Sequence, residues 1–323
     1  YSFTELIERW SKKVSAIGLR EYYGVEAWDW GLPGRMRGGQ VEYHRKWIPY
    51  YAKRNLDAVN AETNANWGGQ TLGLYIAGRL LWDPNRDTTA DEAEFFDLCF
   101  GEAATPVRRL YSRFDESPQL RSSSLTPLFQ DLQLAWESAQ SERVRSRLRD
   151  LMAYLIYVAE FREFEMVRGR QPSRNDLYYQ SLLPLMKYAW RIRHRDVVHY
   201  YALARRLCNG LPLQDGRDEF WFARKDALPI WMDGNDLSDD EVVSLFSQWY
   251  QRLEDNDDPS VTFSRYLDPL EADGADVGAS TIAGWFESEL PQSGLARFRG
   301  PLVGYLLATK PMWVRMGMAP SSR

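Results

Sequence analysis

Two short apolar runs, each preceded by a helix-like stretch and followed by a loop rich in Gly, Asn and Trp, set what the opening of this chain can become. Ser2-Phe-Thr-Glu5 is a capping-box pattern, and Phe3, Leu6, Ile7, Trp10 and Val14 follow it at helical spacing. The first run passes through Ile17, Leu19, Tyr22, Tyr23 and Val25 into the loop Glu26 to Gly34. A second cycle repeats it: Val41, His44, Trp47, Ile48 and Tyr51 on a helix, a strand over 56–61, then Glu62-Thr-Asn-Ala-Asn-Trp-Gly-Gly69. Another helix follows through Leu72, Tyr75, Ile76 and Leu80. Helices alternating with short strands predict βα units and a parallel sheet, with the functional loops at the carboxyl ends of the strands. Residues 17–25 and 56–61 are therefore expected to pair in parallel across a right-handed helical connection.

After Asp83-Pro84 the strand signal fades. Helices are predicted over 89–100, stopped by Gly101, and over 103–115, 127–140 and 142–167. In the last of these, Leu148, Leu151, Met152, Leu155, Ile156 and Ala159 form one stripe for burial. A helix over 179–208 follows through Leu182, Met186, Trp190, Val197 and Tyr201, and one more over 238–254. The fold class is thus α/β turning mostly α. It divides into βα units over 1–88, a helical domain over 89–210 and a mixed region over 211–323. A length of 323 residues suits two domains, or one barrel-sized domain with an appendage.

Lys and Arg number 40 against 45 Asp and Glu, a net charge of -5 that gives nucleic acid or an anionic membrane no general attraction. The basic stretch Lys187 to Arg195 carries an apolar stripe, the pattern of a packed helix with a solvated face. No apolar run reaches the roughly 20 residues that span a bilayer. His194 and His199 are five apart, where two zinc ligands on one helix face need four, and no phosphate-binding glycine loop, nucleophile elbow or Cys-x-x-Cys occurs. No metal or other cofactor is expected. Cys99 and Cys208 allow at most one bridge.

Chemistry concentrates in the two loops. Glu62, Asn64, Asn66 and Trp67 place a carboxylate, two amides and an indole at one strand end, a set suited to polyhydroxylated ligands: amides and carboxylates bond hydroxyls while an indole packs on the ring face. Glu62 is a candidate acid, base or orienting ligand. Glu26 and Asp29 supply further carboxylates beside Trp28 and Trp30, after Tyr22 and Tyr23. Glycosidic hydrolysis commonly uses two carboxyl groups about 5 to 10 Å apart, which loops from neighbouring strands can provide. The same residues also suit a plain architectural role, with Asn and Gly building the turn and Trp67 packing inward.

Three segments carry a resemblance: Ala61-Glu-Thr-Asn-Ala-Asn-Trp-Gly68, Tyr75-Ile-Ala-Gly-Arg-Leu-Leu-Trp-Asp-Pro84 and Phe100-Gly-Glu-Ala-Ala-Thr-Pro106, with a weaker one in 188–203. Over roughly residues 1–210 the chain resembles an uncharacterised bacterial family of unknown function. The members of that family look like glycoside hydrolase barrels of the α-glucuronidase or β-hexosaminidase type with a helical C-terminal region. The resemblance implies a secreted or envelope-associated, carbohydrate-active protein, a glycoside hydrolase if the full-length chain is active, with Glu62 at the mouth of the last barrel strand. The resemblance makes residues 1–88 the C-terminal part of a (β/α) barrel, the last βα units of a TIM-type barrel. A full barrel takes about 250 residues, whereas two βα units precede the helices here, so the chain is expected to be the C-terminal portion of a longer protein that extends upstream by more than about a hundred residues. The rival reading is a non-catalytic helical interaction or scaffold module whose aromatics are core.

Overall fold

A computed structural model of the chain describes residues 2–24, 36–63, 66–116, 122–168, 176–208, 232 and 234–254. Helix α1 (Phe3–Ser11) opens on the expected capping box: Ser2 Oγ accepts from the Glu5 amide at 3.3 Å, and Glu5 Oε2 accepts from the Ser2 amide at 2.7 Å. Strand β1 (Ile17–Tyr22) follows, then a 3-10 turn at Arg37–Gly39, α2 (Val41–Ala52), β2 (Leu56–Glu62) and α3 (Trp67–Trp82). The two strands pair in parallel, with Leu19 opposite Val59, Arg20 opposite Asn60 and Tyr22 opposite Glu62. Among the described residues the sheet has these two strands and the rest is mostly helical.

The turn from α2 into β2 depends on Asn55, whose φ of 62° lies in the left-handed region that Asn tolerates better than most side chains. Its Nδ2 donates to the carbonyls of Ser11 and Val14 at 2.9 and 3.0 Å, so one residue reverses the chain and pins the end of α1. Ile7, Leu19 and Tyr51 form a small core between the sheet and its helices. The predicted α1 stripe is only partly core: Ile7 is buried, but Phe3, Leu6 and Trp10 are 42–53% exposed.

The helical part comprises α4 (Thr89–Phe100), α5 (Ala104–Asp115), α6 (Ser122–Ser138), α7 (Glu142–Arg168), α8 (Asp176–Arg191), α9 (Tyr200–Cys208) and α10 (Asp239–Glu254). Gly101 ends α4 at a φ of 47°, as the sequence indicates. Helix α6 begins a turn before the expected 127, with Pro127 inside it. The stripe on α7 is buried as predicted, but so are Ala153, Tyr154, Tyr157 and Val158. From Leu151 to Ala159 this helix is covered on every side, packed among α3, α4, α6, α8 and α10. One apolar core runs from Tyr23 and Val41 through α7 to Leu253.

The predicted helix over 179–208 is two helices. The chain leaves α8 after Arg191, passes through Asp196 at a φ of 53°, and re-enters helix at Tyr200. The break shifts the phase, so Tyr200 is buried and Tyr201 is 55% exposed, the reverse of the expected stripe. The arginines of this stretch are held by acids of the fold: Arg195 bonds Asp150 and Asp239, Arg191 bonds Glu241, and Arg193 bonds Asp236. Both cysteines are free thiols.

Candidate functional site at the carboxyl end of the parallel pair

Alternation along β1 turns Ile17, Leu19 and Glu21 toward the helices and Gly18, Arg20 and Tyr22 to the opposite face. Strand β2 adds Ala58, Asn60 and Glu62 to that second face, which is exposed at all six positions. Faces of a parallel sheet are ordinarily apolar and covered. Here the face grades from Gly18 and Ala58 at the amino end to Arg20, Asn60, Tyr22 and Glu62 at the carboxyl end.

Glu62 stands at the end of β2. Its main chain is fixed by the amides of Tyr23 and Gly24, which donate to its carbonyl at 2.9 and 3.1 Å. Its side chain lies on the open face, where Oε2 accepts from Arg20 Nη2 at 2.6 Å, and both side chains are well exposed, at 44% and 61%. The Arg20 guanidinium also lies over the Tyr22 ring, 5.4 Å from its centroid. Arg20 and Asn60 are the members of this set that reading the loops missed. Their signal was the alternation of β1, where Arg20 sits between Gly18 and Tyr22 on the face opposite Leu19 and Glu21.

Glu21, nearest to Glu62 in the register after Tyr22, faces the other way. It is buried and accepts from Arg37 Nη1 at 2.8 Å and from the Tyr43 hydroxyl at 3.0 Å. Burial, followed by the charge of Glu21, raises the Tyr43 hydroxyl well above its ordinary range. Burial also pushes His44 down to about 4, so its ring is neutral near pH 7; Nε2 lies 3.3 Å from the Gly38 carbonyl. Tyr23 is buried too, edge-on to His44 with centroids 4.8 Å apart, and so belongs to the helix side.

The start of α3 is anchored from beneath. The Gly68 amide donates to the Asp196 carbonyl at 3.2 Å, and the Gly68 carbonyl accepts from the Tyr111 hydroxyl at 3.0 Å. Trp67 remains half exposed beside Glu62 in sequence, while Asn66 is buried at the cap position with its Nδ2 3.6 Å from Met36 Sδ. Among the described residues, the buried Asn66 Oδ1, Gln70 Oε1 and His44 Nδ1 have no hydrogen-bond partner, the kind of polar atom that ordered water satisfies. Glu26, Trp28, Asp29, Trp30 and Asn64 lie outside the described residues. Among the described residues no group of three or more His, Cys, Asp or Glu side chains is placed to hold a metal, and no helix is long and apolar enough to cross a membrane.

Residues 1–113 match a domain of unknown function, DUF4838. The match takes in both strands, the open face and the helices through most of α5. Its description names no activity. No curated protein and no solved structure matches the chain.

Proposed function

We propose that the parallel pair is part of a glycoside hydrolase-like barrel and that its open face, with Glu62 and Arg20 at the carboxyl end, binds an oligo- or polysaccharide. The observation that carries this reading is the in-register polar face. Arg20, Tyr22, Asn60 and Glu62 project from the side of a parallel sheet that would line a barrel, at the strand ends where barrel enzymes hold their substrates. Carboxylate, guanidinium and amide groups bond hydroxyls, and the Tyr22 and Trp67 rings offer faces for a sugar ring. In this reading Glu62 is first a substrate ligand, and the helices from α4 onward support the site without touching substrate.

Intrinsic Trp fluorescence, titrated with xylohexaose, cellohexaose, maltohexaose and chitohexaose, tests it. Saturable change with at least one of them is expected; no response to any of the four overturns the reading.

A further inference from the structure

We propose that Arg20 and Glu62 together form a clamp for a vicinal diol, which makes Arg20 a substrate-binding residue and selects sugars that carry two adjacent free hydroxyls. The inference rests on the carbohydrate reading above and narrows its substrate class. A guanidinium has five N–H donors and a carboxylate about four acceptor sites. The contact between them takes one bond, Arg20 Nη2 to Glu62 Oε2, on an exposed surface. Among the described residues no other side chain bonds Glu62, and its Oε1 has no partner among them. A matched donor and acceptor side by side are the complement of two neighbouring hydroxyls, one donating to the carboxylate and the next accepting from the guanidinium.

The place of the pair argues against a merely architectural role. An exposed ion pair contributes little to stability, about 0–1 kcal/mol. Arg20 covers no apolar core, since its neighbours on the face are Gly18, Tyr22 and Asn60. Glu62 holds the guanidinium over the Tyr22 ring, so the donors are oriented before a ligand arrives. Hydrogen bonds to charged groups imply a loss of about ten- to hundredfold in affinity when a hydroxyl partner is missing.

The test uses the full chain. Xylohexaose, cellohexaose and maltohexaose carry free 2,3-diols along the chain, whereas the internal units of chitohexaose carry an acetamide at C2 and no diol. Periodate followed by borohydride cleaves the diols of the first three and leaves their linkages. Expected results are binding of at least one diol-bearing hexaose, loss of about tenfold or more after periodate treatment, and a similar loss in Arg20→Met with an unchanged melting temperature. Arg20→Lys keeps the charge without the planar fork and is expected to recover only part of the affinity. Binding that survives periodate, binding confined to chitohexaose, or full affinity in Arg20→Met overturns the clamp and leaves the carbohydrate reading standing. No binding of any hexaose overturns both.

Discussion

Gly73 of α3 lies backbone to backbone against Gly38, so closely that a Cβ on Gly73 would collide with the Gly38 carbonyl oxygen and with the main chain of Gly39. This contact seats α3 on the 3-10 turn at Arg37–Gly39, whose Gly38 amide donates to the Tyr23 carbonyl just past β1 at 2.8 Å. It thereby fixes Trp67 and the Glu62 end of the sheet relative to each other. Gly73→Ala is expected to cost about 1–3 kcal/mol, as overpacking against rigid neighbours does. Gly78 on the same helix is exposed with open space around it, so Gly78→Ala is expected to stabilise by about 0.5–1 kcal/mol. Urea denaturation of the two variants measures both, and equal effects would mean that α3 is not seated on this contact.

Asn55 is expected to be the costliest polar position in the turn before β2. Asn55→Ala loses two hydrogen bonds and strains a positive φ, about 2–3 kcal/mol in all, whereas Asn55→Gly keeps the conformation and loses only the bonds, about 1–2 kcal/mol. The ordering of the two variants by chemical denaturation is the check.

Two carboxylates should give stability opposite dependences on pH. Asp91 is buried between Arg86 and Arg79, and the Arg86 hydrogen bonds above all hold its carboxyl below the ordinary 3.8. Its folded value is below its unfolded one, so its contribution is present above about pH 4 and is lost as pH falls through the folded value. Removing the carboxylate by Asp91→Ala is expected to cost about 2 kcal/mol at pH 7. Glu160 behaves in the reverse sense. Burial, then the charge of Glu163, pushes it up to about 7 from 4.5, so the stability it allows is present below pH 4.5 and is lost as pH rises through 7. Glu160→Gln should therefore raise the melting temperature at pH 8 and leave it nearly unchanged at pH 4. Asp115, also raised to about 7, acts in the same window, so the variant removes only part of the slope.

Much of this architecture is legible in the sequence where one physical rule decides. The capping box at Ser2, the parallel pair, the stop at Gly101 and the one predicted stripe of α7 follow from local sequence pattern, whereas the burial of Ala153, Tyr154, Tyr157 and Val158 on the other sides of α7 does not. Leu155 is fully buried as its phase requires, and Leu155→Ala is expected to cost about 2–5 kcal/mol in thermal or chemical denaturation. What periodicity does not reveal is tertiary. The helix breaks at 192–199 because Arg191, Arg193 and Arg195 bond acids of distant segments and the Asp196 carbonyl takes the Gly68 amide, partners 40 residues or more away in sequence. Tyr22 and Tyr23 look alike in the chain, yet strand alternation sends one to the open face and the other into the core. Arg20 reads as an ordinary strand residue until the register sets it beside Glu62.

The central claim is that the Glu62 side chain serves a ligand and not the fold. Titration calorimetry of wild type and Glu62→Gln with xylohexaose, cellohexaose and maltohexaose, paired with melting curves of both proteins, tests it most directly. The amide keeps the shape and loses the charge, so the account expects affinity to fall about tenfold or more while the melting temperature moves by about 1 °C or less. Undiminished affinity in Glu62→Gln, or a melting temperature lowered by many degrees, would contradict it.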